Sequence, residues 1–296
     1  MLNRVLDLLT SKGWFDTSLP FEKTVNLTQA ACLWLMLTRK GVCDTYVKFS
    51  DCANLEREAQ RCAAASRWYP TLVPRFVGHM RQDGLDVLVC RAVDHRRLNA
   101  TGLQQPGPRG RAFRDLNQYF TAMPATHLPP ELTPVRNAEL VTSLAAYFDE
   151  DALAPLARRW LRSDAVVRAA GLVNMPQHGD LMFNNIGQTL DGAAVVFDWE
   201  DFGASCLPGL DLFTLELSLA GEAGQHFELE RRSGPTQKFV REACEAMRLD
   251  LSDYHDLTFV YALVFRYLKR NYGPAVRERM DRLLLDLDQQ RTTTGA

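Results

Sequence analysis

Residues 177–199 read QHGDLMFNNIGQTLDGAAVVFDW, a short β-like island inside an otherwise helical second half, and this island limits what the chain can fold into. One segment around Asn185-Ile186-Gly187 and another from Ala193 to Phe197 flank the turn residues Leu190-Asp191-Gly192. That pattern predicts a small hairpin. Its ends carry His178, Asp180, Asn185 and Asp198. Such a hairpin brings three oxygen-bearing side chains, those of Asp180, Asn185 and Asp198, near one point.

The remainder divides in two. Cys32–Thr38, the turn-like Arg39–Asp44 and Thr45–Phe49 read as a hairpin. Leu55–Ala65 lacks Gly and Pro and reads as a helix, and Val73–His79 and Leu85–Val93 are two more strands around Gln82-Asp83-Gly84. Beyond Asp94 a loop rich in Pro, Gly and Arg (99–111) leads into helical patterns at Ala138–Phe148, Ala152–Arg162, Lys238–Arg248, Tyr254–Tyr272 and Ala275–Leu287. The expected architecture is α+β, with an antiparallel β lobe bearing one helix over residues 1–93 and a mainly helical lobe over residues 94–296.

Of the 34 basic residues only six are lysines (Lys12, Lys23, Lys40, Lys48, Lys238 and Lys269), so a lysine in an apolar setting stands out. Lys48 lies mid-strand in TYVKF, where a cation is costly unless it reaches water or an anion. Glu58 on the following helix is the expected partner, and the other five lysines are expected to be surface charge. The net charge of −2 provides no field that would collect nucleic acid or an anionic membrane. Seven scattered cysteines without CxxC pairs argue against a disulfide framework or a structural zinc. The N-terminal MLNRVLDLLTSKGWF does not read as a signal peptide, and the expected location is cytoplasmic.

Oxygen donors at the hairpin ends suit Mg²⁺, a hard cation that takes one or two protein ligands alongside phosphates and water. His178-Gly179-Asp180 followed by Asn185 resembles the HxDxxxxN catalytic loop of protein kinase-like folds. With Asp198-Trp199-Glu200 and the later Asp211-Leu212 pair, the chain is similar to the aminoglycoside phosphotransferase and choline kinase family.

The resemblance implies a bilobal protein kinase-like fold and transfer of a γ-phosphoryl group from ATP or GTP to a hydroxyl of a small molecule. Asp180 is then the catalytic group, with His178 supporting its loop. Lys48 and Glu58 hold the nucleotide phosphates, Asn185 and Asp198 bind Mg²⁺, and backbone near Cys90 and Ala92 meets the adenine. Asp198 ends the strand AAVVF and is preferred as metal ligand over Asp201 of the literal Asp201-Phe202-Gly203. No GxGxxG is present, and the candidate turn over the phosphates is Arg39-Lys40-Gly41.

The acceptor is not named by these residues. Glu200, Asp201 and Glu216 are candidate anions for a cationic acceptor. Tyr254, Phe259, Tyr261, Phe265 and Tyr267 form a candidate aromatic box, more often core at such spacing. Arg109 and Arg111 would suit an anionic acceptor. A nucleotide-binding regulatory module and a kinase acting on a protein or carrier-linked acceptor are the alternatives. The filled catalytic positions count against the first, and the missing glycine-rich loop counts against the second.

Overall fold

The computed structural model describes residues 1–27, 32–98, 110–121, 135–222 and 235–294. Its first part is an antiparallel sheet of β1 (Glu22–Leu27), β2 (Leu33–Arg39), β3 (Val42–Ser50), β4 (Phe76–Gln82) and β5 (Leu85–Arg91), ordered β1-β2-β3-β5-β4. Two hairpins close through two-residue turns, Lys40-Gly41 and Asp83-Gly84, whose residues all have positive φ. That geometry matches the right-handed strand twist and favours glycine. The Arg39–Asp44 turn expected from sequence is therefore shorter, and Val42, Cys43 and Asp44 extend β3 past an irregularity at Leu37/Thr38.

The pleat of this sheet sorts the side chains. Val47, Phe49, Val87 and Val89 pack with Leu35 and Leu37 against α1 (Leu2–Ser11), which buries Val5 and Leu9. Successive residues point to opposite faces, so Tyr46, Lys48, Leu88 and Cys90 face the other way, toward α2 (Glu56–Trp68). The lysine's position between apolar neighbours is thus the signature of a strand buried on both faces. The sequence reading missed both α1 and β1. β1 is exposed along its whole length and shows no alternation to detect.

After β5 the chain enters β6 (His95–Arg97), which pairs with β7 (Ile186–Thr189), itself paired with β8 (Ala194–Val196), so the predicted island hairpin gains a third strand. Around this small sheet pack α3 (Gly110–Thr121), α4 (Asn137–Phe148), α5 (Ala154–Leu161), α6 (Asp164–Gly171), α7 (Leu210–Glu222), α8 (Pro235–Met247), α9 (Leu251–Asp256), α10 (Thr258–Leu268) and α11 (Pro274–Thr294). The single helix expected over Tyr254–Tyr272 is broken at Leu257 and stops at Leu268. Pro274 opens the next helix, the position where its missing N–H is harmless. α10 is buried nearly all round, as expected for a helix apolar on every face. Its one internal cation, Arg266, is engaged by Asp281, Asp151 and Tyr147.

Gly209, just before α7, has φ +93, and a Cβ there would lie 2.5 Å from the Tyr261 hydroxyl, which donates to the Pro208 carbonyl. Gly209→Ala combines a left-handed backbone with a clash in a packed core. It is expected to lower stability by about 2–4 kcal/mol, read as a reduced urea midpoint. Among the described residues no helix is long and apolar enough to cross a membrane, and all seven cysteines are free thiols.

Candidate active site

The segment around His178-Gly179-Asp180 has no regular secondary structure, so its shape depends on side chains that hold its backbone. Asp211, in the first turn of α7, does most of this. Its carboxylate accepts the His178 N–H at 2.6 Å, the Gly179 N–H at 2.8 Å and the Tyr119 hydroxyl from α3. Burial raises the Asp211 carboxyl above its ordinary range, which those donors oppose.

His178 is fully buried. Its Nε2 lies 2.8 Å from the Phe197 carbonyl and its Nδ1 3.3 Å from the Asp180 N–H. A carbonyl only accepts and an N–H only donates, so this geometry has Nε2 donating to Phe197 and Nδ1 accepting from Asp180. With both nitrogens engaged and its ring edge-on to Trp199 at 4.7 Å, the imidazole braces the loop against the cleft wall.

Asp180 is differently placed. Its Oδ2 accepts from Lys269 Nζ at 2.9 Å, whereas its Oδ1 is buried with no hydrogen-bond partner. The Asn185 amide donates to the Asp180 carbonyl at 2.9 Å, and its oxygen accepts from Asn184. The Phe197 N–H in turn donates to the Asn185 carbonyl, so the two hairpin ends are joined as the spacing predicts. Asp198 follows at φ 61, a left-handed conformation unusual for a side chain other than glycine.

Asp198 and Glu58 line the cleft, and one carboxylate oxygen of each lies within 4.8 Å of the other and of one from Glu200. Lys48 Nζ reaches Glu58 at 2.7 Å and Glu200 at 3.3 Å. Burial works against the Lys48 charge, but Glu58 and Glu200 outweigh it and hold the ammonium above its usual range. One lysine cannot balance three carboxylates. Desolvation, with Glu200 adding to it, pushes Asp198 up to about 6. An all-oxygen donor set with surplus negative charge fits a hard divalent cation such as Mg²⁺.

Glu200 is placed on Lys48 rather than free to meet an acceptor. It also accepts from the Tyr272 hydroxyl at 3.2 Å, and Arg61 donates to its carbonyl. Asp201 lies on the other side of the turn, 3.2 Å from Lys269.

A cavity of about 270 Å³ extends from Glu58 and Asp198 to an apolar end formed by Trp34, Tyr46, Leu88 and Cys90. Cys90 lines this cavity. Ala92 does not: it is absent from the lining, and its N–H is donated to the Asp44 carbonyl at 3.0 Å, an extra rung of the sheet. The Arg39-Lys40-Gly41 turn is also misplaced as a phosphate cover. It closes the far end of the hairpin from the Trp34–Lys48 pair, about 20 Å away at the usual strand rise.

Other candidates resolve into structure. Tyr254, Phe259, Tyr261 and Phe265 are buried core, and Glu216 is buried and accepts from the Tyr254 hydroxyl. Arg111 is paired with Asp191 at 2.6 Å, and Arg109 lies outside the described residues. The largest correction concerns Lys269, expected to be surface charge. Only 5% exposed, it is the cation on Asp180. The scarcity of lysine that singles out Lys48 applies equally to Lys269, which follows the most apolar of the described helices.

The sequence matches the family model described as the phosphotransferase enzyme family (APH) over residues 34–215, more than half of the chain. The chain belongs to the phosphotransferase enzyme family. No curated protein matches the sequence significantly. Among solved structures, the aminoglycoside phosphotransferase APH(3'')-Id from Streptomyces rimosus shares 18% identity at a TM-score of 0.57, covering 89% of this chain and 98% of that one. Choline kinase LicA from Streptococcus pneumoniae shares 12% at 0.61, covering 96% and 99%. Macrolide 2'-phosphotransferase MphH from Brachybacterium faecium shares 14% at 0.63, covering 96% and 97%. At such identities the likeness establishes the bilobal kinase-like fold. This phosphotransferase thus combines an antiparallel β lobe and a helical lobe.

Proposed function

We propose that this phosphotransferase moves the γ-phosphoryl group of ATP or GTP to a hydroxyl of a small molecule. The observation that carries the reading is the unpartnered, buried Oδ1 of Asp180, an acceptor near the Lys48 and carboxylate cluster. The acceptor's oxygen attacks the γ-phosphorus, the bond to the bridging oxygen breaks, and the nucleoside diphosphate leaves. Asp180 Oδ1 receives the hydroxyl proton.

Lys48, held by Glu58 and Glu200, supplies positive charge to the donor's phosphate oxygens. Asp198, with Asn185 and Glu200 beside it, would hold Mg²⁺, which offsets charge on the phosphates when bound. The cavity's apolar end, with Trp34 and Tyr46, suits a purine face. The Streptomyces rimosus enzyme has been solved with ADP and streptomycin, and other neighbours are named for choline, ethanolamine and macrolides. A small hydroxyl compound is accordingly the acceptor class supported here.

The test follows diphosphate release from Mg-ATP and Mg-GTP with streptomycin, choline, ethanolamine, a macrolide and a set of sugars. Release that depends on one acceptor supports the reading. Tight nucleotide binding with no acceptor-dependent release across the panel overturns it. Lys48→Met removes the cation shared by Glu58 and Glu200. Turnover is expected to fall by about 10²-fold, with weaker nucleotide affinity by titration calorimetry.

A further inference from the structure

The segment after Asp180, Leu181-Met182-Phe183-Asn184, contains no basic residue. The cation at the Asp180 carboxylate comes from 89 residues away. Lys269 follows α10 directly, and its N–H donates to the Phe265 carbonyl at 3.0 Å. α10 is enclosed by the helical core, so the point from which this side chain starts is fixed. The ammonium then lies 2.9 Å from Asp180 Oδ2, 3.2 Å from Asp201 Oδ2 and 4.8 Å from the centre of the Tyr272 ring.

A buried ammonium is costly without close anions. Here burial is outweighed by Asp180 and Asp201, which keep Lys269 charged. A carboxylate free to rotate would present either oxygen. This one has Oδ2 engaged and Oδ1 empty. The second carboxylate, Asp201, holds the lysine from its other side, so the ion trio has little freedom to swing. Asp201 also sits against Gly179, where a Cβ would meet the Asp201 Cβ at 3.0 Å, tying the trio to the loop itself.

We propose that Lys269 is a positioning residue for phosphoryl transfer: by engaging Oδ2 of Asp180 and tethering it to Asp201, it leaves Oδ1 alone to meet the acceptor hydroxyl. The proposal rests on Asp180 being the group that receives the acceptor's proton. A cation delivered by the core, rather than by the loop, keeps the carboxylate oriented before substrate arrives, and such alignment is worth large factors in rate.

The test uses the intact protein and its Lys269→Met, Lys269→Arg, Asp180→Asn and Lys269→Met/Asp180→Asn variants. Single-turnover transfer from γ-labelled Mg-ATP to water and to the alcohols above is measured beside ADP affinity and the thermal midpoint. Lys269→Met is expected to slow transfer about 100-fold while ADP affinity stays within about threefold. Lys269→Arg should recover at least about a tenth of the lost rate, since its fork can reach both carboxylates. In the Asp180→Asn background Lys269→Met should add less than about twofold, because residues acting as one unit are not additive.

A wild-type transfer rate in Lys269→Met overturns the proposal. So does a parallel loss of ADP affinity, which would mark a purely structural role, or a full multiplicative loss in the double variant. Asp180→Asn at the wild-type rate would instead sink the reading of Asp180, and this proposal with it.

Discussion

Asp180→Asn is expected to lower turnover by about 10²–10⁴-fold with little change in nucleotide affinity. The substitution keeps the shape of the side chain and leaves a carbonyl oxygen able to accept from Lys269 or from a substrate hydroxyl. What it removes is the ability to take a proton. Lys48, Glu58, Asp198 and Glu200, the groups proposed to serve the donor, make no hydrogen bond to the Asp180 carboxylate. Nucleotide binding and proton transfer are thus separable, and the measurement is kcat alongside a nucleotide Kd by calorimetry. Equal losses in both would show that Asp180 acts by organising the cleft instead.

Asp211→Ala is expected to cost about 2–4 kcal/mol of stability and to abolish most turnover, although Asp211 lies behind the cleft. The Gly179 N–H and the Tyr119 hydroxyl would lose their acceptor in the buried interior, and the His178 N–H would keep only the Tyr119 oxygen at 3.0 Å. Buried donors without partners are expensive, and the loop has no regular secondary structure to compensate. Urea unfolding reads the stability loss. Tyr119→Phe, which removes one donor and leaves both backbone bonds to Asp211, should cost only about 1 kcal/mol and retain turnover. If the two variants behave alike, the backbone bonds are not what holds the loop.

The parts of this phosphotransferase legible in its sequence are those set over short spans. The Asp83-Gly84 turn, the strand around Lys48 and the hairpin joining Asn185 to Asp198 all follow from backbone preferences and alternation within about ten residues. The Lys48–Glu58 pair spans ten positions, and the strand's pleat with the helix that follows brings it together. β1 gave no such signal because all six of its residues are exposed. α1 does carry a local signal, an amphipathic face with Val5 and Leu9 four residues apart on its buried side.

Long-range partners lay beyond that reach. Glu200 meets Lys48 across 152 positions, and Lys269 meets Asp180 across 89. Neither pairing follows from local pattern, since any carboxylate or lysine could answer a buried charge of opposite sign. Packing chooses. α10, apolar on all sides, can only lie in the core, and its end places one ammonium against Asp180. The hairpin that gathers Asp180, Asn185 and Asp198 was written locally, whereas the counter-charges around it depend on which helix ends the folded core brings there.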